Sequence, residues 1–319
     1  MRVAAVLLAT ALLLTSGCHS STASAVLNVG SQKGGTKAIM LAAGVLKGAP
    51  YKVSWSEFSA AQTLLEAIGS DAVDTGLVGD APFEFAYQSG SPIRAIGAQT
   101  TFSRPSEYLA IVVPQGSPAH SIAELKGKSI TTTRGSVGHS LALRALADAG
   151  LPASAVRFVF LAPGDAKAAF DSNAVDAWAI WAPYLTVALK QGGRVITDAH
   201  NFPLSYAFDA ASENAIARKR ALLADFLQRE AAALLWAKTH QPELAAALAK
   251  ETSLPADIAR ITADKGLRAM VPMDDAVIVA QRDVAVQFAK AGALVLTRPV
   301  DAAYDRSFGS KARSTEVIR

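Results

Sequence analysis

From Val26 onward, short β-rich runs alternate with helical runs, and this alternation limits the fold more than any other feature of the sequence. Helical patterns fill the gaps between the runs, as at 60–69 and 139–149. Strands that alternate with helices in this way predict βαβ units. The expected fold class is therefore α/β, with mostly parallel sheets flanked by helices. The predicted strands cover residues 26–31, 52–58, 73–78, 93–100, 109–113, 129–133, 156–161, 175–180 and 194–197.

The pattern changes after about residue 205, where residues 214–240 place apolar side chains at helical spacing and predict a helical C-terminal third. Two arrangements fit this change. The chain could form two sequential domains, or Tyr206 could begin a return strand. In the second arrangement the chain crosses at Val113–Pro114 into a second lobe, and the composition of 114–118 suits a hinge. We predict lobe I from residues 26–113 plus 206–319, and lobe II from 114–205.

The N-terminus has the pattern of an export signal, which we assign to residues 1–25. Arg2 precedes an apolar stretch at 3–14 that is too short to span a bilayer. Two processing sites fit: a lipobox that ends at Cys18, which would be lipidated, and a small-residue cleavage site at 23–25. Because Cys18 is the only cysteine, no disulfide can form within the chain and no other thiol can act as a nucleophile.

The charge of the chain does not indicate nucleic acid as a partner. The formal net charge is +4, but the basic residues are scattered, and the one run, at 218–220, lies on a helix whose other face is apolar. No later hydrophobic stretch is long enough to cross a membrane. The five histidines show no metal-ligand spacing, so neither a metal nor a cofactor is predicted.

Three segments share one design, in which a strand runs into a turn of small residues and a helix follows at once. They are residues 31–36, 79–82 and 135–139. A helix start leaves backbone N–H groups unpaired and carries a partial positive charge, so it attracts anions. In open α/β sheets, ligands bind beyond the carboxyl ends of the strands, where these turns would lie. The three turns together predict a site for a small anion.

Other interpretations of two segments stay open. Ser136 and His139, with Asp165 behind them, could form a hydrolase triad, although the G-x-S-x-G elbow is missing; a histidine here could equally line a pocket or cap a helix. Trp178 and Trp181 could pack in the core, or one of them could form an apolar wall for a ligand's tail.

In this order, the segments resemble the aliphatic sulfonate, nitrate and taurine substrate-binding proteins of ABC importers, most closely the sulfonate-binding branch. The matching stretches are residues 30–34, 57–58, 73–76, 79–82, 125–128, 135–136 with His139, 166–170, and 175–178 with Trp181 and 183–184. The resemblance implies a type II periplasmic-binding-protein fold with a ligand held between two lobes. It implies a monomer, exported to the periplasm or to the outer face of the cytoplasmic membrane, that delivers a small organic oxyanion to a permease and is not an enzyme.

When the family's binding residues are carried over position by position, the resemblance implies that the anionic head of the ligand binds at the turns. Its tail would then face the aromatic side chains. The expected ligand-binding residues are Gln32, Lys33, Gly79, Asp80, Ala81, Glu107, Ser136, Val137, His139, Trp178, Trp181 and Tyr206. Taurine, nitrate or a thiamine-precursor pyrimidine are alternative ligands. Taurine would need an acidic partner for its ammonium group, for which Glu107 or Asp80 is available.

Overall fold

The computed structural model describes residues 25–201 and 206–308. Its strands are β1 (Ala25–Gln32), β2 (Tyr51–Phe58), β3 (Thr75–Gly79), β4 (Ile93–Thr101), β5 (Leu109–Val113), β6 (Ser129–Thr132), β7 (Arg157–Phe160), β8 (Ala177–Trp181), β9 (Arg194–Asp198), β10 (Tyr206–Ser212) and β11 (Arg268–Val271). Its helices are α1 (Thr36–Ala42), α2 (Ala61–Gly69), α3 (Asp80–Gln88), α4 (Val137–Asp148), α5 (Pro163–Asp171), α6 (Tyr184–Lys190), α7 (Glu213–Thr239), α8 (Gln241–Thr252), α9 (Ala256–Lys265) and α10 (Asp275–Lys290).

The strands form two sheets, each of which is mostly parallel. The first has the order β11-β4-β10-β3-β1-β2, and the second has the order β7-β6-β8-β5-β9. In the first sheet β10 and β11 oppose the other strands, and in the second sheet β5 does so. Helices cover both faces of each sheet. The predicted two-lobed α/β fold is confirmed.

The first crossing between the sheets precedes β5, whereas the sequence predicted it at Val113–Pro114. All five residues of β5 are buried, and the strand pairs with β8 and β9 in the second sheet. The chain therefore leaves the first sheet between Thr101 and Leu109. An apolar run predicts a buried strand, but its sheet is decided by its partners, which here lie about 70 to 90 residues later in the chain.

The return crossing lies where the sequence predicted it. Strand β10 begins at Tyr206 and runs antiparallel between β3 and β4. This pairing places the strand in the centre of the first sheet and excludes two sequential domains. A strand that comes back from the second sheet enters the first one from its carboxyl edge, which explains its reversed direction.

The C-terminal third is helical, as predicted, with one unpredicted strand. Strand β11 pairs antiparallel with β4 and forms one edge of the first sheet. Helix α10 then packs against both α3 and α4, so it contacts elements of both sheets. Among the described residues, no helix has the length and apolar character that a membrane crossing requires. Cys18 and residues 1–24 of the predicted export signal lie outside the described residues.

Candidate functional site

Two of the three predicted helix starts meet at the boundary between the sheets. Gly79 ends β3 in the first sheet, and Val137 begins α4 beside the second. They are so close that a Cβ atom added to Gly79 would lie 3.4 Å from Val137 Cγ1. Gly135 has a φ of +68°, and a Cβ there would lie 2.7 Å from Phe85 of α3, so this turn requires glycine for two reasons.

The start of α4 offers free backbone donors. Ser136 is the N-cap residue, and its hydroxyl oxygen accepts the N–H of His139 at 3.1 Å. The Thr132 and Ser136 hydroxyl oxygens lie 3.2 Å apart. Among the described residues, the N–H groups of Val137 and Gly138 have no acceptor. The helix therefore presents two N–H donors, with the positive end of its dipole, at the boundary.

The start of α3 is occupied by its own side chain. Asp80 is buried, and its carboxylate accepts the N–H of Ala81 at 2.7 Å and the N–H of Tyr206 at 3.4 Å. Pro82 has no N–H to offer. Burial raises the pKa of Asp80 to about 6, against the opposing effect of these hydrogen bonds. A carboxylate of this protein thus takes the position where an external anion would contact α3.

The first turn lies next to the second but is tied to the protein. Strand β1 is the neighbour of β3, and Gln32 Nε2 donates to the Leu77 carbonyl at 3.1 Å. The Lys37 N–H donates to the Ser31 hydroxyl at 3.2 Å, while the Lys33 side chain is exposed. Gln32 and Lys33 are therefore placed near the boundary, although the Gln32 amide already has a protein partner.

His139 supports the turn before α4. Its Nδ1 accepts the N–H of Gly135 at 3.1 Å, and its ring centroid lies 4.9 to 5.3 Å from those of Phe158, Phe160 and Phe288. Burial, and to a lesser extent the charge of Arg134, lowers the pKa of His139 to about 4, so the ring is neutral at pH 7.

This geometry does not form the hydrolase triad. Nδ1 of His139 is engaged by the backbone, and Ser136 uses its oxygen to accept the N–H of His139. Within the described ranges, no carboxylate forms a hydrogen bond or ion pair with the imidazole. A catalytic histidine needs an acidic or carbonyl partner on one nitrogen and the nucleophile on the other. Ser136 and His139 instead act as a helix cap and a support for the turn.

The three aromatic residues predicted to contact the ligand lie in different places: Trp178 in the core, Trp181 partly buried in the second sheet, and Tyr206 at the boundary between the sheets. Trp178 is 1 % exposed and packs between α5 and α6, so it provides no wall for a ligand in this conformation. Trp181 is partly buried and touches the apolar clusters on both faces of the second sheet. Tyr206 is half-buried at the boundary and stacks on Phe208, with ring centroids 6.4 Å apart.

Glu107 lies at the first crossing, where it is exposed and already paired. Its carboxylate forms an ion pair with Lys265 and accepts the N–H of Arg104. These contacts lower the pKa of Glu107, the bond to Lys265 having the largest effect. An ammonium ligand would have to displace Lys265, so Asp80 is the carboxylate that remains available.

A buried polar cluster beneath the first turn was not predicted from the sequence. Thr36 donates to Glu230 at 3.0 Å, and Gln99 donates to Asp209 at 3.2 Å. Burial raises the pKa of both carboxyl groups, and the nearby charge of Asp209 raises the pKa of Glu230 further, so Glu230 is the one more readily protonated. This cluster ties the start of α1 to α7 and β10.

A cavity of about 490 Å³ opens at the boundary, and most of its lining residues were not predicted from the sequence. Asp80, Val137 and Tyr206 are among its lining residues, and α4 and α10 supply most of the others. The cavity therefore reaches the first residues of both α3 and α4. Its lining from α10 could not be predicted, because nothing in the sequence indicates that this helix returns to contact the second lobe.

Comparisons with known proteins agree with this arrangement. The family described as NMT1/THI5 like matches residues 52–243. The chain belongs to this family. A relative from Escherichia coli (strain K12) carries the name of an aliphatic sulfonates-binding protein and is 34% identical over 236 residues, or 73% of each chain. The predicted relationship to sulfonate-binding proteins is thereby confirmed.

Solved structures of other proteins resemble this chain over most of its length. The alkanesulfonate-binding protein SsuA from Xanthomonas axonopodis pv. citri, bound to MOPS, has a TM-score of 0.79 and 27% identity, covering 88% of this chain and 98% of its own. The desulfurization enzyme DSZB has a TM-score of 0.65 and 16% identity, covering 90% and 98%. That level of identity shows a shared fold alone, so the fold by itself does not decide between binding and catalysis.

Proposed function

We propose that this protein captures an aliphatic sulfonate outside the cytoplasm and delivers it to the permease of an ABC importer, without chemical change. The observation that carries the proposal is the open start of α4, where two unpaired N–H groups lie at the boundary between the sheets. The sulfonate-binding relatives support the same ligand class.

A sulfonate suits this kind of site because it is ionised at every physiological pH. The protein then needs no titrating group to hold it. The dipole of α4 and its backbone N–H groups would supply the attraction. His139, whose pKa is lowered to about 4, stays neutral beside them at pH 7. Ser136, Val137 and the nearby Gly79 would surround the head, and Tyr206 would contact the beginning of the tail.

Capture by closure of the two lobes is supported by contacts that join them. Gln62 Nε2 of α2 donates to the Arg134 carbonyl before α4 at 2.9 Å. Gln287 Nε2 of α10 donates to the Ser140 carbonyl at 2.7 Å. Contacts of this kind can form only when the lobes are close together, so separating the lobes would open the path to the α4 start.

A separate observation supports the proposal that the ligand is bound without chemical change. His139 is not placed to activate Ser136, because its ring is enclosed by three aromatic rings and its Nδ1 accepts the Gly135 N–H. Export by the N-terminal signal, with or without lipidation at Cys18, remains a prediction. Mass spectrometry of the mature N-terminus would test it.

Taurine is the second candidate ligand, and it is favoured by the position of the Asp80 carboxylate. This carboxylate lies beside the cavity and could pair with an ammonium group. Taurine and alkanesulfonates differ in how their binding would depend on the charge of Asp80, which provides a way to separate them.

The experiment is a thermal-shift screen of the mature protein, followed by calorimetry. The ligands are hexanesulfonate, taurine, nitrate, sulfate and a pyrimidine, with hexanol as the matched tail that lacks the anion. We expect hexanesulfonate to stabilise the fold by about 2.7 kcal/mol at a concentration 100 times its Kd, and hexanol to have no effect. Stabilisation by nitrate or the pyrimidine alone would contradict the proposal.

A further inference from the structure

Helix α10 is anchored in the first lobe by its beginning and reaches the second lobe with its end. Val277 and Ile278, near its start, lie in the apolar core of the first lobe together with Phe208 of β10. Phe288, near its end, belongs to a different apolar cluster, which includes Leu143 of α4. A helix rooted in the first lobe therefore packs against the helix whose start is open.

Phe288 is the residue of α10 that links this cluster to the proposed anion site. It is 0 % exposed, and its ring centroid lies 5.3 Å from that of His139 and 5.9 Å from that of Phe85 on α3. Both neighbours touch Gly135, because His139 Nδ1 accepts its N–H and the Phe85 ring fills the space beside its Cα. Phe288 thus lies behind the two side chains that enclose the Gly135 turn.

The Gly135 turn depends on these neighbours for a fixed conformation. Glycine has no Cβ to restrict its backbone angles, so its own sequence does not hold it at a φ of +68°. The turn leads directly into Ser136 and the N–H groups of Val137 and Gly138. A binding site needs its donors held to within about 0.5 Å, so a rotation at Gly135 would misdirect them.

His139 can hold the turn only while its ring is neutral and fixed, because a protonated Nδ1 no longer accepts the Gly135 N–H. Phe288 covers the ring from α10, and two phenylalanine rings of β7 cover it from the other lobe. The charge that acts on it is that of Arg134. Burial is the larger of the two causes that lower the pKa of His139 to about 4.

We propose that Phe288 is a positioning residue for anion binding, because its ring fixes His139 and with it the turn that directs the free N–H groups of α4. This inference rests on the proposed function and adds a residue that is not among those lining the cavity. It acts from a helix of the first lobe on a turn of the second. The anion site at α4 is then complete only while α10 lies against it.

Calorimetry with hexanesulfonate at pH 7, together with NMR titration of the His139 ring, tests this role. Phe288→Ala should weaken binding about fivefold and raise the pKa of His139 from about 4 towards about 6.5. Phe226→Ala is the matched control, because it removes a similarly buried ring from the core of the first lobe. It should lower the stability of the fold but change neither the Kd nor the pKa of His139.

A double-mutant cycle shows whether Phe288 acts through His139. If it does, Phe288→Ala should weaken binding in the wild-type protein and have little further effect in His139→Ala. Equal fold losses of affinity in the two backgrounds would overturn the positioning role.

The remaining results separate this inference from the proposed function. Phe288→Leu keeps most of the apolar volume, so it supplies a folded variant if Phe288→Ala does not fold, and we expect the same two changes at a smaller size. If the folded variant binds hexanesulfonate as tightly as the wild type, or leaves the pKa of His139 unchanged, the inference is overturned and the proposed function stands. If the wild-type protein does not bind hexanesulfonate, the proposed function itself fails.

Discussion

The starts of α3 and α4 have similar sequences but differ in what they can bind. Both follow a strand, both begin after a small residue, and they meet at the boundary between the sheets. At α3, the Asp80 carboxylate accepts the Ala81 N–H, and Pro82 removes another donor. At α4, Ser136 accepts the His139 N–H, and those of Val137 and Gly138 have no acceptor within residues 25–201 and 206–308.

The difference shows that the turn locates a site and the capping side chain decides whether it is open. An acidic residue in the first turn satisfies the helix dipole from within and leaves little for an external anion. A serine at the N-cap satisfies one donor and adds no charge. Of the two helix starts, we therefore expect α4 to bind the anion and α3 to tune that binding through the charge of Asp80.

The largest expected effect concerns the support for the α4 turn. The pKa of His139 is lowered to about 4 in the folded protein, against about 6.5 when unfolded. The contribution of His139 to the free energy of unfolding is therefore fully present above pH 6.5. It is lost as the pH falls towards 4, and the loss amounts to about 3 kcal/mol at most.

Urea unfolding at pH 7 and pH 4.5 would measure this loss. His139→Gln should be less stable than the wild type at pH 7 but lose less stability on acidification. His200→Asn, which alters an exposed histidine, is the control and should behave like the wild type. An acid response of His139→Gln as steep as that of the wild type would mean that His139 does not stay neutral in the fold.

The cap of α4 gives the next effect. Ser136→Ala should lower the free energy of unfolding by about 1 kcal/mol, because the His139 N–H loses its acceptor. Ser212→Ala is a matched control, since Ser212 caps α7 in the same way by accepting the Ala215 N–H at 3.0 Å.

Only the variant at α4 should also weaken sulfonate binding, and calorimetry measures that difference. Ser136 is expected to lie beside the bound head, whereas Ser212 caps a helix that supplies none of the proposed ligand contacts. Equal affinities of the two variants would remove the Ser136 hydroxyl from the contacts with the ligand.

The smallest expected effect is the influence of the Asp80 charge on sulfonate affinity. An anion bound nearby favours protonated Asp80 and raises its pKa above about 6. Alkanesulfonate affinity should therefore rise by a few-fold as the pH falls from 8 to 5.5, and Asp80→Asn should remove this dependence. Taurine should show the opposite trend if its ammonium pairs with the Asp80 carboxylate. Titration calorimetry across this pH range measures both.

Much of the fold could be predicted because it depends on local patterns. Strand and helix periodicity located the elements, and the return strand at Tyr206 was found from its short apolar run. The sheet to which β5 belongs could not be predicted, because its partners β8 and β9 lie far along the chain. Strand β11 was missed because four residues between two helices give little periodicity.

The site was only partly predictable for similar reasons. The small-residue turns indicated where the strands end, and the structure brings Gly79 and Val137 close together. Trp178 was harder, because the residue type does not reveal that α5 and α6 cover its face of the strand. The cavity lining that α10 supplies had no sequence signal, since it depends on how this helix packs against α4 in the folded protein.

The central claim is that the free backbone N–H groups of α4 hold the anion, and one pair of variants tests it directly. Val137 is the first residue of α4, where proline is tolerated, and the extended backbone of Ser136 suits a residue before proline. Val137→Pro therefore removes one N–H donor and keeps the helix, while Val137→Ala trims the side chain and keeps the donor. By calorimetry with hexanesulfonate, we expect Val137→Pro to bind about tenfold more weakly than Val137→Ala. Equal affinities of these two variants, both folded, would contradict the account.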